Sequence, residues 1–136
     1  MKITVESLIK APIEKVWKAW NTPEDIMQWN AASDDWHTVR AEVDLRLGGT
    51  FSSRMEAKNG SLGFDLAGQY TAVIPHQLIE FIFDDKRQVS VVFSQQPEGV
   101  KLVETFDADS QYDEEFQRYG WQAILDNFTR YVEAQN

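Results

Sequence analysis

The chain has 136 residues, of which 43% are hydrophobic and 12% aromatic, so it has the length of one domain and enough apolar side chains for its own core. This composition excludes intrinsic disorder, and the formal net charge of −9 disfavours binding to nucleic acid or to an anionic membrane. The sequence has no cysteine and two histidines, which excludes disulfides, zinc–thiolate sites and cysteine nucleophiles and leaves too few imidazoles for a histidine-rich metal centre.

The first ten residues alternate between apolar and polar side chains. This period of two predicts a strand whose buried face carries Ile3, Val5 and Ile9. The N-terminus has no apolar run long enough for a signal peptide, and no stretch of the sequence reaches membrane-spanning length. We therefore expect a soluble, cytoplasmic protein.

Two short helices are predicted after this strand. Pro12 suits the first position of a helix, because the N–H group that proline lacks has no partner there, and apolar residues then recur at helical spacing. Thr22 can cap a second helix that Pro23 opens. The apolar face of this second helix carries Ile26 and Trp29. The negative charge of the chain is unsuited to a DNA-reading helix pair.

From residue 36 onward the sequence predicts six strands separated by turns. The predicted strands cover residues 36–45, 51–57, 64–74, 79–83, 89–93 and 100–107. Gly48 and Gly49 permit the positive φ of a turn, and the Asn59–Gly60 pair is a strong hairpin signal. Gly68, inside a predicted strand, indicates a bulge or a strong bend.

Residues 112–134 are predicted to form one long helix with acidic residues in its first turn. Its apolar stripe is about 140° wide and heavily aromatic. The stripe contains Gly120, Trp121, Ile124, Leu125, Phe128, Tyr131 and Val132. Glycine costs about 1 kcal/mol in a helix interior, so we expect a strand or a ligand to approach the helix closely at Gly120.

The sequence lacks several motifs that carry chemistry. Segment 104–115 contains six acidic residues and no basic one, but its spacing matches no calcium-binding loop, so we interpret it as the solvated end of a strand and a linker. No serine lies in a nucleophile-elbow sequence, and Gly48–Gly49 lacks the rest of a phosphate-binding fingerprint. We therefore expect no metal site and no nucleophilic triad.

The order of the elements is one strand, two short helices, six strands and one long helix. Hairpin connections make the sheet antiparallel, and only the C-terminal helix is long enough to cover its apolar face. We therefore predict an α+β fold in which a strongly curved seven-stranded antiparallel sheet wraps around this helix. Such a sheet cannot close on one helix along its whole length, so the remaining gap is the expected ligand site.

Short motifs along nearly the whole chain carry a family resemblance. They are Ala11-Pro12, Val16-Trp17, Thr22-Pro23-Glu24, Trp29, Asp44-Leu45-Arg46-Leu47-Gly48-Gly49-Thr50-Phe51, Gly68-Gln69-Tyr70, Pro75, Gly120-Trp121, Leu125 and Tyr131-Val132. In their order and spacing they resemble the START-like (SRPBCC) helix-grip superfamily. The segment 44–51 resembles the Asp-x-Arg-x-Gly-Gly-x-Phe turn of the branch named for the activator of the heat-shock-protein-90 ATPase.

The resemblance implies one helix-grip (START/Bet v-like) domain over residues 1–136, with a deep hydrophobic cavity. It also implies a range of functions: binding of a lipid or small molecule, polyketide cyclisation, or co-chaperone activity. The eukaryotic activator carries an additional N-terminal domain for its chaperone contact. We expect no such domain here, which argues against a co-chaperone role. No cofactor is implied.

Glu104 is the carboxylate with the strongest case for a chemical role, because it shares a strand face with Leu102 and Phe106. If this face lines the cavity, the buried acid needs a raised pKa or a partner, which Arg54 could supply. In the opposite register Glu104 is simply solvated. Asp65 is a weaker candidate of the same kind.

Other polar and aromatic side chains have both a functional and a structural interpretation. His37 could be a general base at neutral pH or a solvated histidine at a strand edge, whereas His76 follows a proline in a turn and is expected to be exposed. Tyr70, Tyr119 and Trp121 could offer a hydroxyl or an indole N–H to a ligand, or could simply fill the core.

The residues predicted to line the cavity and contact a ligand are Trp29, Trp36, Phe51, Met55, Tyr70, Phe81, Phe83, Val91, Phe93, Glu104, Phe106, Trp121, Ile124 and Phe128. The favoured function is binding of a small apolar or aromatic ligand by a monomer or homodimer. One alternative is an enzyme of the cyclase or hydrolase kind, with Glu104 or His37 as acid or base. The other is a chaperone-related protein-interaction module that uses an acidic face.

Overall fold

The alternating segments form β-strands and the segments with helical spacing form helices in the computed structural model, which describes residues 1–135. In chain order the elements are β1 (Lys2–Ile9), α1 (Ile13–Asn21), α2 (Pro23–Trp29), β2 (Trp36–Val43), β3 (Thr50–Ala57), β4 (Gly63–Ile74), β5 (Leu78–Phe83), β6 (Gln88–Gln96), β7 (Gly99–Asp107) and α3 (Glu114–Ala134). The predicted α+β class and element order are confirmed.

The seven strands form one curved antiparallel sheet in the order β1-β7-β6-β5-β4-β3-β2. Strands β2 to β7 follow one another as neighbours, as hairpin connections require. The first strand then pairs with the last, which places Val5 opposite Glu104. The two short helices lie in the connection between β1 and β2, which are the two edge strands of the sheet.

Two register shifts bend the sheet at positions that the sequence did not mark. In β2 the shift occurs at Val39, which is 43% exposed, although strict alternation would place it on the same face as Ala41, Val43 and Leu45. In β4 the shift occurs at Thr71 and not at Gly68. A Cβ atom at Gly68 would lie 2.9 Å from the ring of Phe51 and 2.6 Å from the backbone oxygen of Ile82. Glycine is therefore needed at this position, because the Phe51 ring and the backbone of β5 approach it too closely for any side chain.

The helix ends follow the predicted signals in part. The carboxylate of Asp113 caps α3 by accepting a hydrogen bond from the N–H of Phe116 at 3.1 Å. Pro23 opens α2 as predicted. The expected side-chain cap at Thr22 is wrong, because its hydroxyl donates instead to the carbonyl oxygen of Lys18 at 2.6 Å. Thr22 thus caps the C-terminal end of α1, immediately before α2 begins.

Helix α3 rests mainly on β1, at one edge of the sheet. The hydroxyls of Ser7 and Thr129 lie 2.7 Å apart across this contact. Leu125, Phe128 and Val132 form the buried face of the helix and are almost completely inaccessible to solvent. No helix in residues 1–135 combines the length and apolar character that crossing a membrane requires.

The expectation of a close approach at Gly120 is wrong. A Cβ atom at this position would meet no heavy atom within 4 Å, apart from the backbone of its own helix. The residue also lies outside the lining of the cavity described below. The aromatic stripe of α3 faces the sheet without any steric need for this glycine.

Candidate functional site

A cavity of about 320 Å³ lies between the sheet and the first half of α3. The inner faces of β3, β4 and β5 form one wall, and α3 contributes Trp121 and Ile124. Trp20 and Trp29 close the end formed by the two short helices. The space exists because α3 packs most closely against β1, while the curved part of the sheet from β2 to β5 stands away from it.

Most of the candidates chosen from the sequence border this cavity. They are Trp29, Phe51, Met55, Tyr70, Phe81, Phe83, Glu104, Trp121 and Ile124. The remaining candidates are not part of its lining. These are Trp36, Val91, Phe93, Phe106 and Phe128.

Aromatic side chains from the helices separate several of these remaining candidates from the cavity. The ring of Trp121 covers Phe106, with the ring centroids 3.8 Å apart. The ring of Trp20 contacts Phe93 and Phe128, with centroid distances of 6.1 and 5.0 Å. These phenylalanines have the inward orientation that alternation and helical spacing predict, but they belong to the core beneath the cavity wall.

Phe51 is the centre of the aromatic wall on the sheet side. Its ring centroid lies 4.9 Å from that of Phe81, 5.2 Å from Tyr70 and 6.3 Å from Phe83. Burial, with a smaller contribution from Asp44, raises the pKa of Tyr70 to about 12. The Tyr70 phenol is therefore neutral at physiological pH and can offer a hydroxyl to the cavity.

Glu104 is an acidic residue within the apolar layer of the sheet. Along β7 it lies between Leu102 and Phe106, and on the adjoining strands it is opposite Val5 and Val91. All four of these neighbours are buried, and Glu104 itself is only 6% exposed. Within residues 1–135 its carboxyl group makes no hydrogen bond and no ion pair, and because no fully enclosed side-chain oxygen or nitrogen there lacks a partner, its oxygens are open to the cavity. The group therefore borders the cavity without a protein partner.

Burial raises the pKa of Glu104 to about 8. The cause is desolvation, because removing a carboxylate from water disfavours its charged form. At pH 7 the carboxyl group is thus mainly protonated and neutral, and it can donate a hydrogen bond. A partner that supplies positive charge inside the cavity would reverse this preference.

The expected pairing of Glu104 with Arg54 is wrong. The guanidinium of Arg54 lies 3.0 Å from the carboxylate of Glu56 and 3.7 Å from that of Asp65. Alternation along β3 points Ser53 into the cavity and Arg54 to the opposite face of the sheet. Asp65, the weaker carboxylate candidate, therefore lies on the outer face as well.

The histidines and Tyr119 lie away from the cavity. His37 is partly exposed in β2 and does not line it. His76 is exposed in the turn before β5, where its ring meets Trp17 edge-on with centroids 5.8 Å apart. Tyr119 is 76% exposed and borders a separate groove of about 280 Å³ along α3. Acid–base chemistry within the cavity would therefore fall to Glu104 and not to His37.

Polar and exposed side chains mark the mouth of the cavity. Glu42 and Phe64 both line it and are exposed to solvent. Arg87 also lines it, but its guanidinium forms an ion pair with Asp85 at 2.8 Å and lies 5.2 Å from the ring centroid of Phe83. The positive charge at the mouth is thus already paired within the protein.

Several lining residues were not among the sequence candidates. They are Trp20, Asn21, Ile26, Asn30, Glu42, Val43, Ser53, Phe64, Leu66, Ile79 and Arg87. Strand alternation could have identified Ser53, which shares a face with Phe51 and Met55. Phe64 lines the cavity, whereas Trp36, whose ring centroid lies 5.8 Å from that of Phe64, does not. No local signal marks the polar residues at the ends of the helices and strands.

Comparison with known proteins places this architecture in a family. The sequence profile of the family described as "Activator of Hsp90 ATPase homolog 1-like protein" matches residues 10–133. The comparison with curated proteins gave no match. A solution NMR structure of the AHSA1-like protein from Aeromonas hydrophila is 50% identical, covers 99% of this chain and 94% of its own, and superimposes with a TM-score of 0.94.

Two further solved structures share this fold. A solution structure of a protein from Cytophaga hutchinsonii is 46% identical over 98% of this chain and 93% of that chain, with a TM-score of 0.85. A crystal structure of a protein from Nitrosomonas europaea has 15% identity, covers 99% of this chain and 96% of its own, and shares the fold with a TM-score of 0.87. The resemblance seen in the sequence motifs is confirmed, and the chain belongs to the Activator of Hsp90 ATPase homolog 1-like protein family.

Proposed function

We propose that this protein binds a small apolar or aromatic molecule in the cavity between its sheet and α3. The observation that carries the proposal is a space of about 320 Å³, walled by aromatic side chains, that the side chains of residues 1–135 leave unfilled. Small-molecule sites have volumes of about 300–1,000 Å³ and combine mostly apolar walls with few polar groups. This cavity fits both criteria.

The physical reason for binding is that the cavity leaves its lining side chains less closely packed than a normal protein interior. Interiors normally reach the packing density of organic crystals, so side chains that face a void lose van der Waals contacts on that side. A ligand restores these contacts and removes its own apolar surface from water, which contributes about 25 cal/mol per Å². Phe51, Phe81 and Trp121 supply flat surfaces for such contacts.

Binding can be tested with 2-methylnaphthalene as a neutral aromatic probe, followed by amide chemical shifts in two-dimensional NMR. We expect shifts confined to residues around the cavity. The variant Ser53→Phe places a ring in the cavity and should weaken binding by about tenfold or more, a loss of about 1.4 kcal/mol. The matched variant Ser52→Phe adds the same ring to the outer face of β3 and should bind like the wild type.

Two results would contradict this proposal. One is the absence of saturable shifts around the cavity in the wild-type protein. The other is equal weakening by both variants, since only Ser53 lines the cavity. Native mass spectrometry of the purified protein provides an independent test, because a retained ligand would appear as a discrete mass addition.

A further inference from the structure

We propose that the natural ligand carries one protonated amine, which Glu104 binds as a carboxylate while the aromatic walls hold the apolar body of the ligand. This inference rests on the proposed ligand-binding function and assigns the chemical class of the ligand. The geometry behind it is a buried acid without a protein partner that borders a cavity surrounded by aromatic rings.

The first argument is the missing partner of Glu104. Buried acids in proteins are normally hydrogen-bonded or paired with a cation, because an isolated buried polar group is unfavourable. Glu104 is 6% exposed and has no such partner within residues 1–135, and its carboxyl oxygens are open to the cavity and not sealed in the core. A group placed in this way has an unused capacity to bind a charged or polar ligand atom.

The second argument concerns the side chains that face Glu104. The flanking strands present Val5 and Val91, and α3 presents Trp121 and Ile124 to the same cavity, so none of these elements supplies a charge. The other titratable groups in the lining are Glu42, Tyr70 and Arg87. Of these only Arg87 is cationic, and Asp85 already pairs with it at 2.8 Å. A cation that pairs with the carboxylate form of Glu104 therefore has to enter the cavity from outside the protein.

The third argument is the composition of the walls. The π faces of aromatic rings carry partial negative charge, and aromatic cages bind ammonium groups in this way, with tryptophan the most effective ring. Trp20, Trp29 and Trp121 all line the cavity, together with the rings of Phe81 and Phe83. These rings favour an ammonium group and an aromatic or aliphatic body at the same time.

The fourth argument is the charge balance, which opposes anionic ligands. The acidic residues of the lining are Glu42, which is opposite Ser52 on the outer face of the sheet, and Glu104 within the cavity, and the whole chain carries a formal net charge of −9. The net negative charge of the chain disfavours the approach of a ligand carboxylate, whereas it attracts an ammonium group, which also pairs with the Glu104 carboxylate that forms on binding. Fatty acids and other apolar anions are therefore poor candidates.

Binding of an amine would also move a proton in a defined direction. In the free protein at pH 7 the carboxyl group of Glu104 is mainly protonated, because burial raises its pKa to about 8. When an ammonium ion enters, the carboxyl group loses its proton to solvent and becomes the carboxylate partner. Close to one proton is thus released per ligand at pH 7, and affinity rises as the pH approaches 8.

The test uses three probes with the same aromatic body: 2-naphthylmethylamine, 2-naphthylmethanol and 2-naphthoate. Isothermal titration calorimetry in two buffers of different ionisation enthalpy gives both affinity and proton release. We expect the amine to bind about tenfold or more tightly than the alcohol, the naphthoate to bind most weakly, and only the amine to release a proton.

Two variants separate the role of Glu104 from general electrostatics. Glu104→Gln should lower the affinity for the amine to that for the alcohol and abolish proton release. Glu80→Gln makes the same substitution at a strand position that does not line the cavity and should retain the preference for the amine. If Glu104→Gln does not fold, proton release and the pH dependence of the wild-type protein still decide the question.

The outcomes distinguish this inference from the proposed function. Alcohol binding as tight as amine binding, or an amine preference that survives Glu104→Gln, overturns the amine assignment and leaves the ligand-binding proposal standing. If none of the naphthyl probes nor 2-methylnaphthalene binds in the cavity, both proposals fail.

Discussion

The indole ring of Trp121 on α3 lies flat against the phenyl ring of Phe106 on β7, with centroids 3.8 Å apart and an angle of 9° between the planes. Phe106 has no solvent exposure, and Trp121 also lines the cavity. This single stacking contact therefore joins the helix to the sheet and forms the boundary between the filled core and the candidate site.

Trp121→Ala should destabilise the protein by about 3 kcal/mol, because it removes the ring that covers Phe106 and enlarges the cavity. Urea unfolding followed by circular dichroism measures the change in the free energy of unfolding. Trp121→Phe keeps a ring against Phe106 and should lose less than half as much. Equal losses for the two variants would show that ring contact is not what stabilises this position.

The stability of the protein should depend on pH through Glu104. Its pKa is about 8 in the folded chain, against a model-compound value of 4.5. Between these pH values the folded state holds a proton that the unfolded state does not. The contribution of this group to the free energy of unfolding is therefore fully present below about pH 4.5 and is lost as the pH rises to about 8. Glu104→Gln removes this dependence.

We therefore expect Glu104→Gln to become more stable relative to the wild type as the pH rises from 5 to 8.5. The difference in the free energy of unfolding should change by a few kcal/mol, on the order of what the change in pKa implies. Urea titrations at both pH values measure it. Glu80→Gln serves as the control on the same sheet. A difference that is constant with pH would contradict the burial of an unpaired Glu104.

The hydroxyl of Tyr131 on α3 donates a hydrogen bond to the carboxylate of Asp25 on α2. Tyr131→Phe should lower the free energy of unfolding by about 1–2 kcal/mol, because a hydrogen bond to a charged acceptor is lost. Tyr119→Phe, at a position that is 76% exposed, should change it by less than about 0.5 kcal/mol. The same urea assay compares them, and similar effects of both substitutions would refute a role for the interhelical hydrogen bond.

One substitution, glycine to alanine, should have opposite effects at two positions. Gly120→Ala should raise the free energy of unfolding by about 0.5–1 kcal/mol, because the new methyl group meets open space and alanine favours a helix. Gly68→Ala should lower it by about 1–3 kcal/mol, because the methyl group would approach the backbone oxygen of Ile82 to 2.6 Å. Thermal unfolding of the pair tests both signs, and destabilisation by Gly120→Ala would reveal a contact at that helix face.

Local patterns were sufficient to predict the elements and much of the sheet. Alternation identifies the inner face of a strand from a few neighbouring residues. Phe51, Met55 and Tyr70, which were chosen in this way, lie on the inner face of the sheet and line the cavity. Alternation failed at Val39, because a bulge adds one residue and reverses the alternation beyond it. A bulge of this kind leaves no mark in the composition of the strand.

The division between core and cavity could not be read from the same patterns. Phe106 and Phe128 have the inward spacing of true lining residues, but rings from distant segments, Trp121 and Trp20, cover them. Whether an inward side chain is covered depends on contacts between segments far apart in the chain, and single-sequence periodicity carries no information about those distances.

The sequence by itself determined the order of strands and helices, the acidic charge, the family and the inward face of most strands, because these properties follow from neighbouring residues and short motifs. Only the tertiary structure decided that Arg54 pairs with Glu56 and Asp65 and that Glu104 remains buried without a protein partner. The reason is geometric. Two features decide which side chains meet across the cavity. They are the register between β7 and its neighbouring strands and the packing of α3 against β1.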